Sequence, residues 1–327
     1  MPNRVRRKRR RRNPARILLA VVLIAAAAYA GIHCLLFQKP QQVQAVEQLN
    51  EEEQNAEQVQ VDEEAEALRS HQERKADFYT ILVSGVDDGN GNSDTNILVA
   101  VDTAGGSIYG VSIPRDTKAV WNGKSHKINA AFGSGGIEKL ADVIGDQLGI
   151  PVDYTVQVDL KGFVALVDAI GGVDFDVPID MNYEDPYQDL YIHIPAGMQH
   201  LSGEEALKVV RFREGYASQD IARMETQQAF LKAVAQQTLQ VSNLTKVDQF
   251  VKIFQQYVET DLTLGNLAWL GSKAISIGAE NVAFSTLPGE WKSPYIYLNK
   301  EETLTLVNEH LNPYVEDRVA EDLNIPD

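Results

Sequence analysis

From Ile17 to Phe37 the chain runs for 21 residues without an Asp, Glu, Lys or Arg, and this stretch constrains everything on either side of it. A largely apolar run of that length spans a bilayer as a helix. Residues 1–16 hold nine Lys/Arg and no acid, which sets the N-terminus in the cytoplasm and the rest outside the cell. Ala28-Tyr29-Ala30 resembles a cleavage site, so loss of the segment after Ala30 is the rival expectation. Apolar residues continue past it to Phe37, which favours a retained anchor. The basic tail reads as a topology signal and a contact for anionic lipid rather than as a nucleic-acid arm. Cys34, the only cysteine, lies inside the span and cannot form an internal disulfide.

Beyond residue 16 the chain carries the other 21 of its 30 Lys/Arg and all 46 Asp/Glu, a net charge of −25. Electrostatics opposes DNA on so acidic a part, so no nucleic-acid partner is expected. The order is a basic cytoplasmic tail (1–16), a transmembrane helix (17–37) and an acidic Gln/Glu-rich stalk (38–76). A folded domain then covers 77–240, and helices and a strand in 241–327 complete it. Buried or alternating apolar patterns predict strands over Phe78–Val86, Thr95–Val101, Ile108–Ile113, Tyr154–Val158, Val173–Val177 and Val282–Leu287. Helical patterns cover Ile137–Leu148, Leu160–Ile170, Gly203–Lys208, Ile221–Leu239, Lys246–Val258, Leu264–Ile277 and Glu301–Leu311. Ser202 followed by Glu205 is a capping-box signature for the third of these. Pro178–Ala196 reads as a loop with a short strand at Leu190–Ile194. Strands and helices alternate, so the fold class is α/β, a mixed sheet sandwiched between helices.

In a chain this acidic, arginines at fixed short spacings point to an anion. Arg115 follows Pro114, Arg211 and Arg213 flank Phe212, and Asp220, Arg223 and Gln227 succeed one another at three and four residues. The planar guanidinium forms paired, charge-assisted hydrogen bonds with phosphate. Arg211 and Arg213 share a face only on extended chain, which requires the helix to end near Lys208. Arg223 and Gln227 stack on one helical face, with Asp220 a turn earlier to buttress an arginine. A solvated face with surface ion pairs fits the same spacings. Asp87 and Asp94 flank a Gly/Asn-rich turn between two strands. Two carboxylates beside phosphate-binding arginines suit Mg²⁺, with Mn²⁺ an alternative, although a polar hairpin turn has the same composition. Lys127 offers a point charge for phosphate or lies exposed.

In order along the chain, several stretches resemble the LytR-CpsA-Psr family of extracytoplasmic phosphotransferases. They are Gly85-Val86-Asp87, Ser93-Asp94-Thr95, Ser112 to Asp116, Lys127 to Ala131, Gly171 to Asp174, Gly197 to Leu207, Val210 to Arg213, and Asp220 to Arg223 with Gln227. The likeness runs from about Ile81 to Leu239, half of the chain. It implies an enzyme of the outer face of a Gram-positive type of cell membrane. Such an enzyme moves a glycopolymer, teichoic acid or capsule, from a polyprenyl-pyrophosphate carrier to a peptidoglycan sugar hydroxyl, leaving a phosphodiester. By motif, Asp87 and Asp94 would hold Mg²⁺, and Asp87 would take the acceptor proton. Arg115, Lys127, Arg211, Arg213, Arg223 and Gln227 would grip the phosphates, with Asp220 in support. Asp87, Asp94, Arg115 and Arg213 are the expected catalytic set. An apolar tunnel for the lipid chain is also implied, its lining not readable from the sequence. Asn92 and Thr226 stand where the family usually has arginine. Those losses keep two other readings open, a non-catalytic binder of the same lipid or polymer and a pyrophosphatase with water as acceptor. A membrane-tethered transcription regulator would need DNA to meet the acidic extracellular part.

Overall fold

The computed structural model describes residues 37–43, 73–86, 93–187, 190–212, 219–240 and 246–326. The first half of the domain is mostly strand. β1 (Phe78–Val86), β2 (Ser93–Asp102) and β3 (Ser107–Ile113) form an antiparallel meander, followed by a small hairpin of β4 (Lys118–Trp121) and β5 (Lys124–Lys127). Helix α1 (Asn129–Leu148), β6 (Tyr154–Asp159) and α2 (Leu160–Ile170) come next. Four short strands follow, β7 (Val173–Val177), β8 (Met181–Asp185), β9 (Leu190–Ile194) and β10 (Gly197–Leu201). The helices α3 (Gly203–Arg211), α4 (Gln219–Thr238) and α5 (Val247–Tyr257) lead to β11 (Val258–Thr260) and α6 (Leu264–Ile277). The chain closes through β12 (Val282–Thr286), β13 (Gly289–Lys292), β14 (Tyr295–Leu298) and α7 (Lys300–Leu306).

Six strands make the central sheet in the order β11-β6-β1-β2-β3-β12. The β1–β6 and β3–β12 pairs are parallel and the others antiparallel, so the sheet is mixed as expected. Alternation along the strands divides the apolar residues between two faces. Phe78, Leu82, Leu98, Ala100, Val111 and Ile113 form one face and pack on Ile137, Leu140, Ala141, Ile144 and Leu148 of α1. Those helical positions repeat at three and four residues and so form one stripe. Each large apolar side chain buried there contributes about 1.5–3 kcal/mol. Gly136, with φ of +76°, breaks α1, so its regular part begins at Ile137 as the apolar pattern requires. On the other face Tyr79, Ile81 and Val101 meet Trp269 and Leu270 of α6, with the Tyr79 and Trp269 rings edge to face at 5.7 Å.

A second core lies beside the sheet. It joins Val167 and Ile170 of α2, Val173 and Phe175 of β7, Met181 of β8, Ile192 of β9, Ala206 and Val209 of α3, Phe212, and Phe230 and Val234 of α4. The 178–196 segment, expected as mostly loop, is an antiparallel hairpin pairing Met181 with Ile194. Met181 and Ile192 are both fully buried, which is what orders it. α4 packs through Phe230, whose ring stands edge-on to Phe175 at 5.2 Å.

The expected basic tail and, apart from Phe37, the expected membrane span lie outside the described residues. No helix among the described residues is long and apolar enough to cross a membrane. The ends of the expected stalk are held against the domain. Gln38 N–H donates to Gly265 O, Asn266 Nδ2 donates to Gln38 O, and Val43 N–H donates to Asp153 Oδ1. Arg74 reaches both Val43 O and Asp153 Oδ2, each at 2.8 Å. Backbone and charged hydrogen bonds, rather than apolar burial, fasten these residues, which is why a Gln/Glu-rich composition concealed the docking.

Candidate functional site

β1, β3, β6 and β12 all run in the same direction, so their C-terminal ends share one edge of the sheet with the start of β2. Ligands of open α/β sheets sit at such an edge. The β1–β2 ladder is regular from Phe78↔Asp102 to Gly85↔Thr95, then shifts so that Val86 opposes Ser93. Asp94 is the extra residue of this bulge. Bulges re-aim side chains and terminate pairing next to functional sites. Asp87 directly follows Val86 and lies outside the described residues, as do Asn92 and the side chain of Asp94. The described backbone therefore places Val86 and Asp94 at the same end of one hairpin. No group of three His, Cys, Asp or Glu residues suited to a metal occurs among the described residues.

Arg115 leaves the same edge at the end of β3. The turn is fixed by Thr117 N–H donating to Pro114 O at 3.0 Å and Asn129 N–H to Arg115 O at 3.2 Å. The β4–β5 hairpin then folds back, pairing Lys118 with Lys127. This return puts Lys127 Nζ 2.7 Å from Asp116 Oδ1, while Arg115 Nε lies 3.8 Å from Asp116 Oδ2. Two expected phosphate cations, twelve residues apart, thus meet at one carboxylate. Arg115 and Lys127 remain 38% and 41% exposed, open enough to meet a ligand. The hairpin was not foreseen. Its signal was Asn122-Gly123, the dipeptide of a tight hairpin turn, with φ of +52° and +69° at the two residues.

The second group of expected residues rides on α3 and α4. α3 is capped as its sequence requires. Ser202 Oγ accepts from Glu205 N–H, and Glu205 Oε2 accepts from Ser202 N–H at 2.9 Å. The Ser202 backbone and hydroxyl hydrogen bonds hold the Glu205 carboxyl below the usual glutamate range. The helix does not stop near Lys208. It continues through Arg211, and Phe212 is the first extended residue, with φ −69° and ψ 129°. Burial explains the stopping point, because Val209 and Phe212 are 2% exposed and anchor both sides of the exit. Arg211 therefore belongs to the last turn of α3, and Arg213 lies outside the described residues. Gln227 Nε2 donates to Val210 O at 3.3 Å, which sets the Gln227 side chain beside the carbonyl preceding Arg211.

Asp220 and Arg223 lie in the first two turns of α4, with side chains outside those described. Thr226 is 6% exposed and begins a buried stripe continued by Phe230 and Val234. The position where the resembling sequences usually carry arginine is thus an interior one in this chain. One contact, absent from the sequence reading, joins the two groups. Gln228 Nε2 donates to Thr286 Oγ1 at 3.0 Å. Thr286 ends β12 directly opposite Ser112, and Leu287 N–H donates to Ser112 O at 3.0 Å, three residues before Arg115. The Gln228–Thr286 and Leu287–Ser112 hydrogen bonds thus tie α4 to the end of β3, the strand that leads into Arg115. Among the described residues, the cations brought together at this edge are Arg115 and Lys127, which meet at Asp116.

Comparison with known proteins follows the same outline. The family model for the LytR_cpsA_psr family matches residues 37–313. A Bacillus subtilis (strain 168) protein named polyisoprenyl-teichoic acid–peptidoglycan teichoic acid transferase TagV is 33% identical over 196 residues, 57% of this chain and 50% of that protein. A Bacillus cereus protein named for the same transfer, TagU, is 37% identical over 194 residues, 58% of this chain and 62% of that protein. The matches therefore span half to about three fifths of these two relatives. The crystal structure of B. subtilis TagV has a TM-score of 0.62 at 28% identity, covering 74% of this chain and all of that one.

Proposed function

The chain belongs to the LytR_cpsA_psr family, and we propose that it is a membrane-anchored phosphotransferase of the cell wall. It takes a glycopolymer, teichoic acid being the cargo its relatives are named for, from a polyprenyl-pyrophosphate carrier to a sugar hydroxyl of peptidoglycan. The observation that carries this reading is the shared sheet edge. Arg115 and Lys127 meet there at Asp116, and the Gln228–Thr286 hydrogen bond ties it to α4 beside Arg211.

In the proposed reaction the acceptor hydroxyl oxygen attacks the phosphorus that carries the polymer. A new P–O bond forms, the bridging P–O bond of the pyrophosphate breaks, and polyprenyl phosphate leaves. The hydroxyl proton passes to an acidic residue, for which Asp87 stands nearest in sequence to the β1 edge. Phosphoryl transfer is mostly positioning and charge neutralisation. Arg115, Lys127, Arg211, Arg213 and Arg223 balance the charge that gathers on the leaving phosphate, Gln227 orients its oxygens, and Asp220 braces an arginine. Asp87 and Asp94 would hold Mg²⁺, which supplies further charge neutralisation when bound. A single span at 17–37 keeps the site on the outer side of the membrane that holds the donor.

The test is transfer in vitro, with purified full-length protein, a polyprenyl-pyrophosphate-linked polymer and peptidoglycan. Phosphodiester-linked product with the native chain, and loss of it with Asp94→Ala or Arg211→Ala, is the expected result. Free polymer phosphate made equally with and without peptidoglycan would mean a pyrophosphatase instead. Bound donor with no product would mean a binding protein.

A further inference from the structure

Two hairpins beside Arg115 form a surface of which the transfer step uses only Lys127. Thr117 bridges Ile296 in parallel, and Ile296 N–H donates to Asp116 O at 2.9 Å. These contacts set two separate hairpins, β4–β5 and β13–β14, side by side as a ribbon joined at Thr117 and Ile296. Directly paired residues share a face, and faces alternate along each strand. Ala119 and Leu298, 1% and 9% exposed, mark the inner face. The outer face then carries Lys127 opposite Lys118, Tyr295 opposite Lys292, and Tyr297 opposite Glu290.

Like charges directly opposite each other are unfavourable on their own. Lys127 is engaged by Asp116 at 2.7 Å, and Lys118 Nζ sits 4.7 Å from the centre of the Tyr297 ring. Lys292 Nζ approaches the same ring at 6.0 Å and pairs with Glu290 at 2.9 Å. An acidic chain has thus set three lysines and two tyrosines on one small face, with Asp116 and Glu290 as the carboxylates paired to them. Strands about 4.8 Å apart spread these groups across about 14 Å, starting at the candidate site. Ammonium groups at such intervals match repeated phosphates, and tyrosine rings beside them offer stacking faces for sugars.

We propose that this outer face is a subsite for the phosphodiester-linked polymer arm of the donor, next to the pyrophosphate pocket. The proposal rests on the donor reading above. It extends that reading from the reacting pyrophosphate to the cargo, and it makes the ribbon select for anionic polymers.

The test measures binding to the full-length protein in detergent. One probe is carrier-free poly(glycerol phosphate) labelled with a fluorophore, and the other is polyprenyl pyrophosphate without polymer. Lys118→Gln combined with Lys292→Gln is expected to weaken polymer binding about tenfold and flatten its salt dependence. Arginine at both positions is expected to retain binding, and polyprenyl pyrophosphate binding is expected to be unchanged throughout. Native affinity of the glutamine variant for the polymer would overturn the proposal. So would tighter binding of uncharged peptidoglycan fragments at this face, which would assign it to the acceptor. A native chain that ignores polyprenyl pyrophosphate yet needs Lys118 and Lys292 for polymer would remove the donor reading and leave the subsite standing.

Discussion

Asp153→Ala removes the carboxylate that fastens residues 37–43 and 73–80 to the domain, and its cost follows from the contacts. The Asp153 side chain is fully buried. Oδ2 accepts from Thr80 N–H at 2.9 Å, Thr80 Oγ1 at 3.0 Å and Arg74 Nη2 at 2.8 Å, and Oδ1 accepts from Val43 N–H at 2.9 Å. Arg74 is 10% exposed, so its guanidinium would stay buried without its counter-charge. Breaking a buried pair from one side costs about 3–5 kcal/mol. At roughly 2–4 °C per kcal/mol for a domain of about this size, the melting temperature should fall by roughly 6–20 °C. Replacing both partners, Arg74→Leu with Asp153→Leu, removes the stranded charge and should restore about 2 kcal/mol. Thermal unfolding by circular dichroism of the full chain in detergent reads both changes. A fall of under about 2 °C for the single variant, or no recovery in the double, would refute the claim that this carboxylate holds residues 37–43 and 73–80 together.

Arg115→Ala should lower transfer about 10²–10³-fold by analogy with losing an oxyanion donor, with unfolding of the variant unchanged; equal rates would remove Arg115 from the site. Thr286→Val strips the acceptor from Gln228 and should cost about 1 kcal/mol, read as a shifted urea midpoint; no shift would mean α4 is held to the sheet by packing alone. The lowered Glu205 pKa fixes a pH sign. Its contribution is fully present above the ordinary glutamate value and is lost as pH falls through the lowered folded-state value. The stability gap between the native chain and Glu205→Gln should therefore be open at neutral pH and close in acid; a gap independent of pH would contradict this. Ser202→Ala should lose about 1 kcal/mol with the other half of the cap.

The central sheet was legible because β1, β2, β3 and β6 are apolar runs bounded by turn residues, and buried strands announce themselves that way. The α3 start was legible from Ser202 and Glu205, since a capping box is local chemistry. Its end was not, because Val209 and Phe212 stop the helix by burial in a core assembled from distant chain. The β4–β5 and β13–β14 hairpins carry lysines and half-exposed aromatics with little alternation, so only Asn122-Gly123 marked one of them. Docking of residues 38–43 rests on backbone hydrogen bonds to Gly265 and Asp153, partners more than a hundred residues away. At the site, spacing alone could not join Arg115 to Lys127, because the joining group, Asp116, matters only once the hairpin has folded back. Gln228 and Thr286 had no signature in the sequence at all.

The proposed activity depends on a carrier lipid seated with its phosphates at the β1–β3–β12 edge. Mass spectrometry of lipids that co-purify with the detergent-solubilised full-length chain tests this directly. Polyprenyl phosphate or pyrophosphate should be recovered from the native protein and depleted with Arg115→Ala or Arg211→Ala. Native protein carrying only bulk phospholipid, or variants retaining as much polyprenyl lipid as the native chain, would contradict a diphosphate site at that edge.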